Sequence, residues 1–469
     1  MENKQNSPAF DVVVIGGGPG GYVAALRAAQ LNLRTALVER ENLGGICLNW
    51  GCIPTKALLH AADTLRRIRH AGVLGISVSE PQVDFGKLMA RSRQVSQRLN
   101  RGVAHLLKKA GVSVFMGAAR LNGARQVSVT DPQGATQQLH AKNIIVATGA
   151  RAGELPILPF DGKRVWSYRD ALSATEAPKS LAVIGAGAIG MEFASFYAAL
   201  GAKVTVVEVA PRVLPAGDED VSGFVQQAMS RDGIAFLTNA RLVSASVNAS
   251  GVELSVEQGE DRHQFSAERV LVAVGLTGNT DGLGLEGTRV VVERGIIQTT
   301  AWGQTAEPGI YAIGDVTGAP MLAHKASHEG IECVEYIAGR RSGEQQCVTI
   351  PACVYSYPQS ASVGMTEAQA RARGGRIRVG KFPLEGNGKA IAIDEASGFI
   401  KTVFDEGTGE LLGAHLVGPE ATELIHGFTL ARSLEATEAE LMETVFPHPT
   451  LSEAMHEAVL AAYGRALHI

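Results

Sequence analysis

Residues 11–39 read DVVVIGGGPGGYVAALRAAQLNLRTALVE, and residues 181–208 read LAVIGAGAIGMEFASFYAALGAKVTVVE. Each passes from an apolar, β-branched run through a glycine-rich turn into a helical pattern, then into a second strand-like run that ends in an acid. The glycines fall at Gly16, Gly18 and Gly21 in the first copy and at Gly185, Gly187 and Gly190 in the second. The same 23-residue interval separates the first glycine from Glu39 in one copy and from Glu208 in the other. The first glycine makes the strand-to-helix turn, the second lets backbone approach a pyrophosphate, and the third lets the helix pack against the strand. The helix N-terminus faces the phosphates and the acid accepts from a ribose hydroxyl.

One such motif is weak in a chain with 54 glycines. Two copies with matched acids point to two bound dinucleotides, a flavin (FAD) and a nicotinamide (NAD), which together imply electron transfer. Glu208 would repel a 2′-phosphate, and the VAPRVLP that follows offers only Arg212, so NAD(H) is favoured over NADP(H).

Working outward, strand-like runs ending in glycine recur at NIIVATGA (143–150), RVLVAVGL (269–276) and GIYAIGDVTG (309–318). The first two read as the closing strands of the two nucleotide units, with Gly149 and Gly275 leading back toward the ligands. The third places Asp315 where a carboxylate could bond a flavin ribityl or phosphate-linked hydroxyl, although an isolated GD is also a common turn. Its position makes the first domain discontinuous. The expected division is 1–150 and 281–347 for the FAD-binding domain with its central segment, 151–280 for the NAD-binding domain, and 348–469 for a last domain. From Ile350 onward the pattern is of antiparallel strands and helices, as in SGFIKTVFD and LLGAHLVG. The expected fold class is α/β, with two Rossmann-like dinucleotide-binding domains, one inserted in the other, plus a C-terminal α+β domain.

The totals agree with a multidomain globular chain: 469 residues, 45% apolar and 19% charged, leave no room for a mainly disordered or coiled-coil reading. A net charge of −4 gives no general attraction to nucleic acid or to an anionic membrane. The arginine-rich runs LRRIRH (65–70) and RSRQVSQRLNR (91–101) stand out. Leu65, Ile68, Val95 and Leu99 recur between those arginines at helical spacing, so both runs read as solvated helix faces. The N-terminal MENKQNSPAF lacks the apolar core of a signal peptide, and no apolar run reaches the roughly 20 residues of a membrane span. A cytoplasmic location is expected.

Five cysteines are too few for a secreted disulfide scaffold. Two of them, Cys47 and Cys52, share the stretch LGGICLNWGCIPTKALLH (43–60). A zinc site would need a second ligand pair at matching distance, which is missing, and no metal is expected. Inert core cysteines are ordinary, but these are bracketed by glycines, an asparagine and a proline rather than spread along an apolar stripe. A redox pair fits better, with one geometric demand. Residues five apart on a regular helix point about 140° away from each other, so a bridge needs a distorted first turn, for which Gly51 and Pro54 are suited.

The run Gly44-Gly45-Ile46-Cys47-Leu48-Asn49-Trp50-Gly51-Cys52-Ile53-Pro54-Thr55-Lys56 resembles the active-site signature of the flavin-dependent disulfide reductases. Both glycine fingerprints, the ATG and GD segments, LAHKASHEG (322–330) and HPTLSE near the C-terminus follow in that family's order. Among its members the likeness is greatest to those that oxidise dihydrolipoamide with NAD⁺. The resemblance implies that Cys47 is the interchange thiol and that Cys52 lies against the flavin. Lys56 would approach the flavin N5 and pair with Glu192, and His448 would be the general base, held by Glu453.

It further implies ping-pong turnover and a homodimer whose C-terminal dimerisation domain brings His448 to the partner's cysteines. A separate lipoyl-bearing protein of a 2-oxo acid dehydrogenase or glycine cleavage complex would supply the substrate. Three positions depart from the family's pattern: Phe446 stands where many relatives have a second histidine, IPACVYSYPQSASVG replaces the commoner THPE form, and Thr55 replaces a frequent serine. Glutathione-reductase-like and mercuric-reductase-like readings are less favoured. The first would want basic residues in place of Glu208, and the second a C-terminal cysteine pair where the chain reads AAYGRALHI. A non-catalytic flavin-binding protein is the remaining alternative.

Overall fold

Val12, Val13 and Val14 are all fully buried, because the strand that carries them, Phe10–Ile15, has a parallel neighbour on each side. Val12 stands opposite Thr35 of Thr35–Glu39 and opposite Asn143 of Thr136–Val146. A strand covered on both faces needs a continuous apolar run rather than an alternating one, and VVVI supplies it. In this computed structural model, residues 10–343, 345 and 349–469 are described. The polar segment 1–9 and the domain boundary expected at 347/348 lie outside them.

The chain forms two compact units. One takes the described residues of Met1–Ala57, Lys87–Gly153 and Gly275–Gln346, the other those of Leu58–Gly86, Glu154–Val274 and Cys347–Ile469. In the first, the parallel sheet continues to Ser113–Met116 at one side, and Ile310–Ala312 pairs with Thr136–Val146 at the other. Helix α1 (Pro19–Gln30) packs tightly on the helix Ala323–Ile337: a Cβ on Gly330 would come within 2.7 Å of the Gly20 carbonyl oxygen. Leu276–Gly278 pairs antiparallel with Ala150–Ala152, so the chain re-enters this unit at Gly275, six residues ahead of the expected 281.

Three further helices belong to the stretch that follows the second strand: α2 (Gly45–Trp50), α3 (Cys52–His70) and α4 (Phe85–Lys109). Units divide inside α3, after Ala57.

The second unit holds a five-stranded parallel sheet in the order Ala235–Leu237, Lys203–Val207, Ser180–Ile184, Arg269–Val272, Val165–Trp166. An antiparallel meander, Ala240–Val247, Val252–Gln258 and Asp261–Ala267, adjoins it in sequence. Residues from Ala352 build a five-stranded antiparallel sheet around the fully buried strand Leu411–Val417. Helix Glu453–Ala462 seats on that sheet, where Thr402 Oγ1 donates to the Ala458 carbonyl at 3.0 Å.

The LRRIRH run presents the solvated face expected of it at Arg67, Arg69 and His70, all exposed, but two of its arginines also reach a neighbouring helix and Arg66 is partly buried in doing so. Arg66 Nη2 donates to the Ser195 carbonyl at 2.8 Å and its guanidinium lies over the Tyr357 ring. Arg69 Nη1 donates to the carbonyl of Ala199, the last residue of helix Ala188–Ala199, at 2.9 Å. Cations here meet the carbonyl end of a helix, which carries partial negative charge and unsatisfied acceptors.

Candidate active site

The two fingerprints adopt one geometry. Gly18 and Gly187 precede their helices in extended conformation, at φ −68°, ψ −177° and φ −74°, ψ −177°. Gly16 and Gly185 have φ of +106° and +104°, a region that side chains strongly disfavour. A Cβ on Gly21 would collide with the Gly16 carbonyl oxygen, and one on Gly190 with that of Gly185. By contrast, nothing lies within 4 Å of a Cβ position on Gly187, and only the Gly45 Cα comes that close to Gly18. Space is left open where a pyrophosphate would approach each helix N-terminus.

Both acids are buried and fixed by the backbone. Glu39 accepts from the N–H of Gly17 at 2.7 Å and of Glu41 at 2.7 Å. Glu208 accepts from Ala186 at 2.6 Å and Ala210 at 2.8 Å. A carboxylate has about four lone-pair sites, so each keeps acceptor capacity for a ribose. At the sheet ends Gly149 has φ +69° and Gly275 φ +122°, and a Cβ on either would meet nothing within 4 Å. These cradles fit two dinucleotides.

The cysteine segment is tied directly to the first cradle. Gly44 N–H donates to the Gly17 carbonyl at 2.7 Å, and a Cβ on Gly45 would lie 2.7 Å from the Gly18 Cα. Helix α2 carries Cys47 and stops at Trp50; Gly51 leaves helical geometry at φ −149°, ψ −114°, and α3 begins at Cys52. The break brings together two residues that a continuous helix would point apart. Cys47 and Cys52 are hydrogen-bonded sulfur to sulfur as a dithiol, and that bond, together with burial, holds the Cys47 thiol well above the ordinary range, against the pull of the nearby Lys56 ammonium.

Asp315 sits in a short 3₁₀ turn in the same unit, where burial raises its carboxyl against the attraction of Lys325. Lys325 pairs with Glu329 at 2.8 Å, and Glu329 accepts the Gly314 N–H at 2.8 Å.

In the other unit, buried Glu192 accepts the Tyr355 N–H at 3.1 Å. His448 Nδ1 stands 2.9 Å from Glu453 Oε1, and Glu453 Oε2 accepts the Thr450 N–H at 2.8 Å. Burial alone would raise the Glu453 carboxyl, but the Thr450 N–H and the His448 ring hold it below its usual range. The His448 side chain is 78% exposed on this chain. Phe446 does not reach outward in its place: half-buried, it stacks on His456 with ring centroids 5.3 Å apart.

Sequence reasoning missed the clamp on the cysteine segment. Arg93 of α4 donates from Nη1 to the Asn49 carbonyl at 2.6 Å and lies 4.8 Å over the Trp50 ring. Asn100 donates to the Leu43 carbonyl at 2.7 Å, and Asn49 Nδ2 to the carbonyls of Leu43 and Gly45 at 2.9 Å. Its signal was present. Met89, Ser92, Ser96 and Val103 line the buried side of α4, and an arginine and an asparagine beside small serines on such a side imply a packed polar contact.

Comparison with known proteins bears on the whole chain. Residues 10–330 match the family model described as pyridine nucleotide-disulphide oxidoreductase, and residues 350–459 match that family's dimerisation domain. The chain belongs to the pyridine nucleotide-disulphide oxidoreductase family. Members of this family use FAD and NAD(H), in keeping with the two cradles.

Among curated relatives, the dihydrolipoyl dehydrogenase of Zymomonas mobilis is 51% identical over 98% of this chain and 99% of its own. That of Rhizobium etli is 48% identical, and that of Bacillus subtilis 43%, with the same shares of both chains covered. Of solved structures, LpdA from Mycobacterium tuberculosis superposes with a TM-score of 0.89 at 29% identity, covering 96% of this chain and 98% of that one. An HOCl-induced flavoprotein disulfide reductase from Escherichia coli gives 0.84 at 27%, over 96% and 99% of the two chains. Like other members of the pyridine nucleotide-disulphide oxidoreductase family, the chain is an α/β protein with two Rossmann-like units and a C-terminal α+β dimerisation domain. Among the described residues no helix is long and apolar enough to cross a membrane.

Proposed function

We propose that the chain catalyses the FAD-dependent oxidation of protein-bound dihydrolipoamide to lipoamide, with reduction of NAD⁺ to NADH, by way of a Cys47–Cys52 disulfide. The observation that carries this reading is the meeting of Cys47 and Cys52 across the Gly51 break, on a segment bonded to the first dinucleotide loop. His448 takes a proton from one substrate thiol. The resulting thiolate attacks Cys47 Sγ, the S–S bond to Cys52 breaks, and Cys52 leaves as thiolate. The second substrate thiol then attacks the substrate sulfur of the mixed disulfide as its proton passes to the departing Cys47 thiolate, so that the substrate leaves oxidised and the enzyme holds the Cys47 thiol, the Cys52 thiolate and the first proton on His448. FAD, when bound, supplies the route by which that electron pair reaches NAD⁺.

Gly16, Gly18, Gly21, Glu39, Gly149 and Asp315 would hold the flavin dinucleotide, with Lys56 near its ring system. Gly185, Gly187, Gly190, Glu208 and Gly275 would hold NAD, with Glu192 in the helix that follows the pyrophosphate turn. Glu208 supports NAD(H) over NADP(H), since both of its oxygens are fixed by backbone N–H groups and its charge would oppose a 2′-phosphate. On this reading the division is a FAD domain with central segment, a NAD domain and a dimerisation domain. The cytoplasm, where lipoyl-bearing 2-oxo acid dehydrogenase or glycine cleavage complexes would be met, is the proposed location.

The exposure of His448 supports a base that acts on a second copy of the chain. Mixing Cys47→Ser chains with His448→Gln chains should regain activity that neither has alone; no recovery would argue against shared sites. The activity is tested by a panel of dihydrolipoamide, glutathione disulfide and Hg²⁺ with both nicotinamide cofactors. Turnover of dihydrolipoamide with NAD⁺ is expected, and turnover confined to one of the other pairs would overturn the reading.

A further inference from the structure

We propose that the cationic face of α4 is the docking surface for an acidic face of the protein domain that carries the substrate dithiol. This inference rests on the reading above, since a free small dithiol would need no docking surface. Helix α4 contains no acidic residue. Lys87, Arg91, Arg98, Arg101, His105 and Lys108 follow one another at spacings of four, seven, three, four and three, and each is exposed. At about 100° per residue these positions fall on one face, over a length of roughly 30 Å.

Four of these six, Arg91, Arg98, Arg101 and Lys108, enter no ion pair among the described residues. On a chain whose net charge is −4, an extended run of like charge with no acid inside the helix that carries it is a departure from the surface as a whole. It repels itself unless something negative covers it.

The opposite side of the same helix is the part of the molecule bonded to the redox segment. Arg93 reaches the Asn49 carbonyl and the Trp50 ring, and Asn100 reaches the Leu43 carbonyl. A domain seated on the outer face of α4 is thus about one helix diameter, roughly 10 Å, from the segment that carries Cys47. The charge stripe fits an acidic protein surface in encounter, where steering raises association rates by about 10- to 1000-fold at low salt and fades as screening shortens its reach. The run RSRQVSQRLNR therefore has two sides: Arg93 packs inward, whereas Arg91, Arg98 and Arg101 face a partner.

The test compares the FAD-loaded full chain with its Arg91→Glu/Arg98→Glu/Arg101→Glu variant on two substrates, free dihydrolipoamide and a reduced lipoyl domain of net negative charge. At low ionic strength kcat/KM for the lipoyl domain is expected to fall about tenfold or more, with its salt dependence flattened, while free dihydrolipoamide stays within about twofold. The glutamine triple variant, milder for folding, should fall between. Equal rates for variant and wild type on the lipoyl domain, or equal losses on both substrates, would overturn docking at α4.

If wild type turns over neither substrate, the proposed function fails. Salt-dependent titration of the lipoyl domain against wild type and variant then still decides whether the stripe binds it. A short DNA duplex that binds more tightly than the lipoyl domain, and is released by the same substitutions, would assign the stripe to nucleic acid and overturn the proposal.

Discussion

His448 Nδ1 and Glu453 Oε1 lie 2.9 Å apart, and the second oxygen of Glu453 is fixed by the Thr450 N–H at 2.8 Å. The carboxylate is held from the backbone side and in turn holds the imidazole at Nδ1, so that on the proposed mechanism Nε2 is the nitrogen that takes the substrate proton. If His448 is the general base as proposed, Glu453→Gln is expected to lower kcat with dihydrolipoamide by about tenfold to a hundredfold. The KM for NAD⁺ should stay near wild type. Steady-state kinetics checks both, and an unchanged kcat would remove Glu453 from the proton-transfer step.

The third glycine of each fingerprint has no room for a side chain. In Gly190→Ala the new methyl would run into the Gly185 carbonyl, forcing the helix away from the strand and closing the pyrophosphate turn. NADH affinity is expected to fall at least about tenfold by fluorescence titration, with flavin content unchanged because the first fingerprint is intact. Wild-type NADH binding in this variant would contradict the assignment of the second cradle.

Removing the arginine that clamps the cysteine segment should loosen it. Arg93→Leu leaves the Asn49 carbonyl without its 2.6 Å donor and the Trp50 ring without its cation. A lost hydrogen bond from a charged donor costs about 1.5–3 kcal/mol. Lower thermal stability and faster alkylation of the reduced Cys47 are the expected signs. Alkylation at the wild-type rate would show that α4 does not order the segment.

A second buried cation gives a pH-dependent prediction. Lys401 is 3% exposed and bonds Asp218 at 2.9 Å, Asp220 at 3.0 Å and Glu367 at 2.8 Å. Burial would lower the Lys401 ammonium, but its hydrogen bonds to these three acids overturn that and hold it above its ordinary range. Burial would raise Asp218 and Asp220, and the Lys401 hydrogen bond prevails and lowers both; the same bond is the first cause of the lowered Glu367 carboxyl.

Carboxyls depressed in the folded state contribute stability that is present above their unfolded values of about 4 and lost as pH falls through the folded ones. The raised ammonium contributes below about 10.4 and is lost only as pH rises through its folded value. Lys401→Met, which strands the buried Asp218 charge, is therefore expected to cost about 3–5 kcal/mol near neutrality. The deficit should shrink below about pH 4 as the acids protonate. A deficit that persists undiminished in thermal melts at pH 3 would contradict this account.

The parts legible in the sequence were those governed by local chemistry. Gly16, Gly18, Gly21 and Glu39 announce their turn through spacing alone, and the demand for a distorted helix between Cys47 and Cys52 follows from helical geometry, which the break at Gly51 meets. What was hidden depends on chain partners far apart in sequence. Arg66 looks like a surface arginine until the end of helix Ala188–Ala199 arrives beside it, and Arg69, though exposed, bonds the same helix end. Arg93 and Arg91 are alike in sequence, and only packing assigns one to the redox segment and leaves the other exposed. The buried Lys401 gave no signal, because its acids lie on segments around 218 and 367.

The central claim is that Cys47 and Cys52 cycle between disulfide and dithiol as dihydrolipoamide is oxidised. It is tested most directly by mass spectrometry of the FAD-loaded protein, alkylated without oxygen before and after one equivalent of dihydrolipoamide, in the absence of NAD⁺. The account predicts that both cysteines resist alkylation in the oxidised enzyme and become labelled after reduction, with Cys47→Ser abolishing the substrate-dependent change. Labelling of Cys47 and Cys52 that is the same before and after dihydrolipoamide would contradict it.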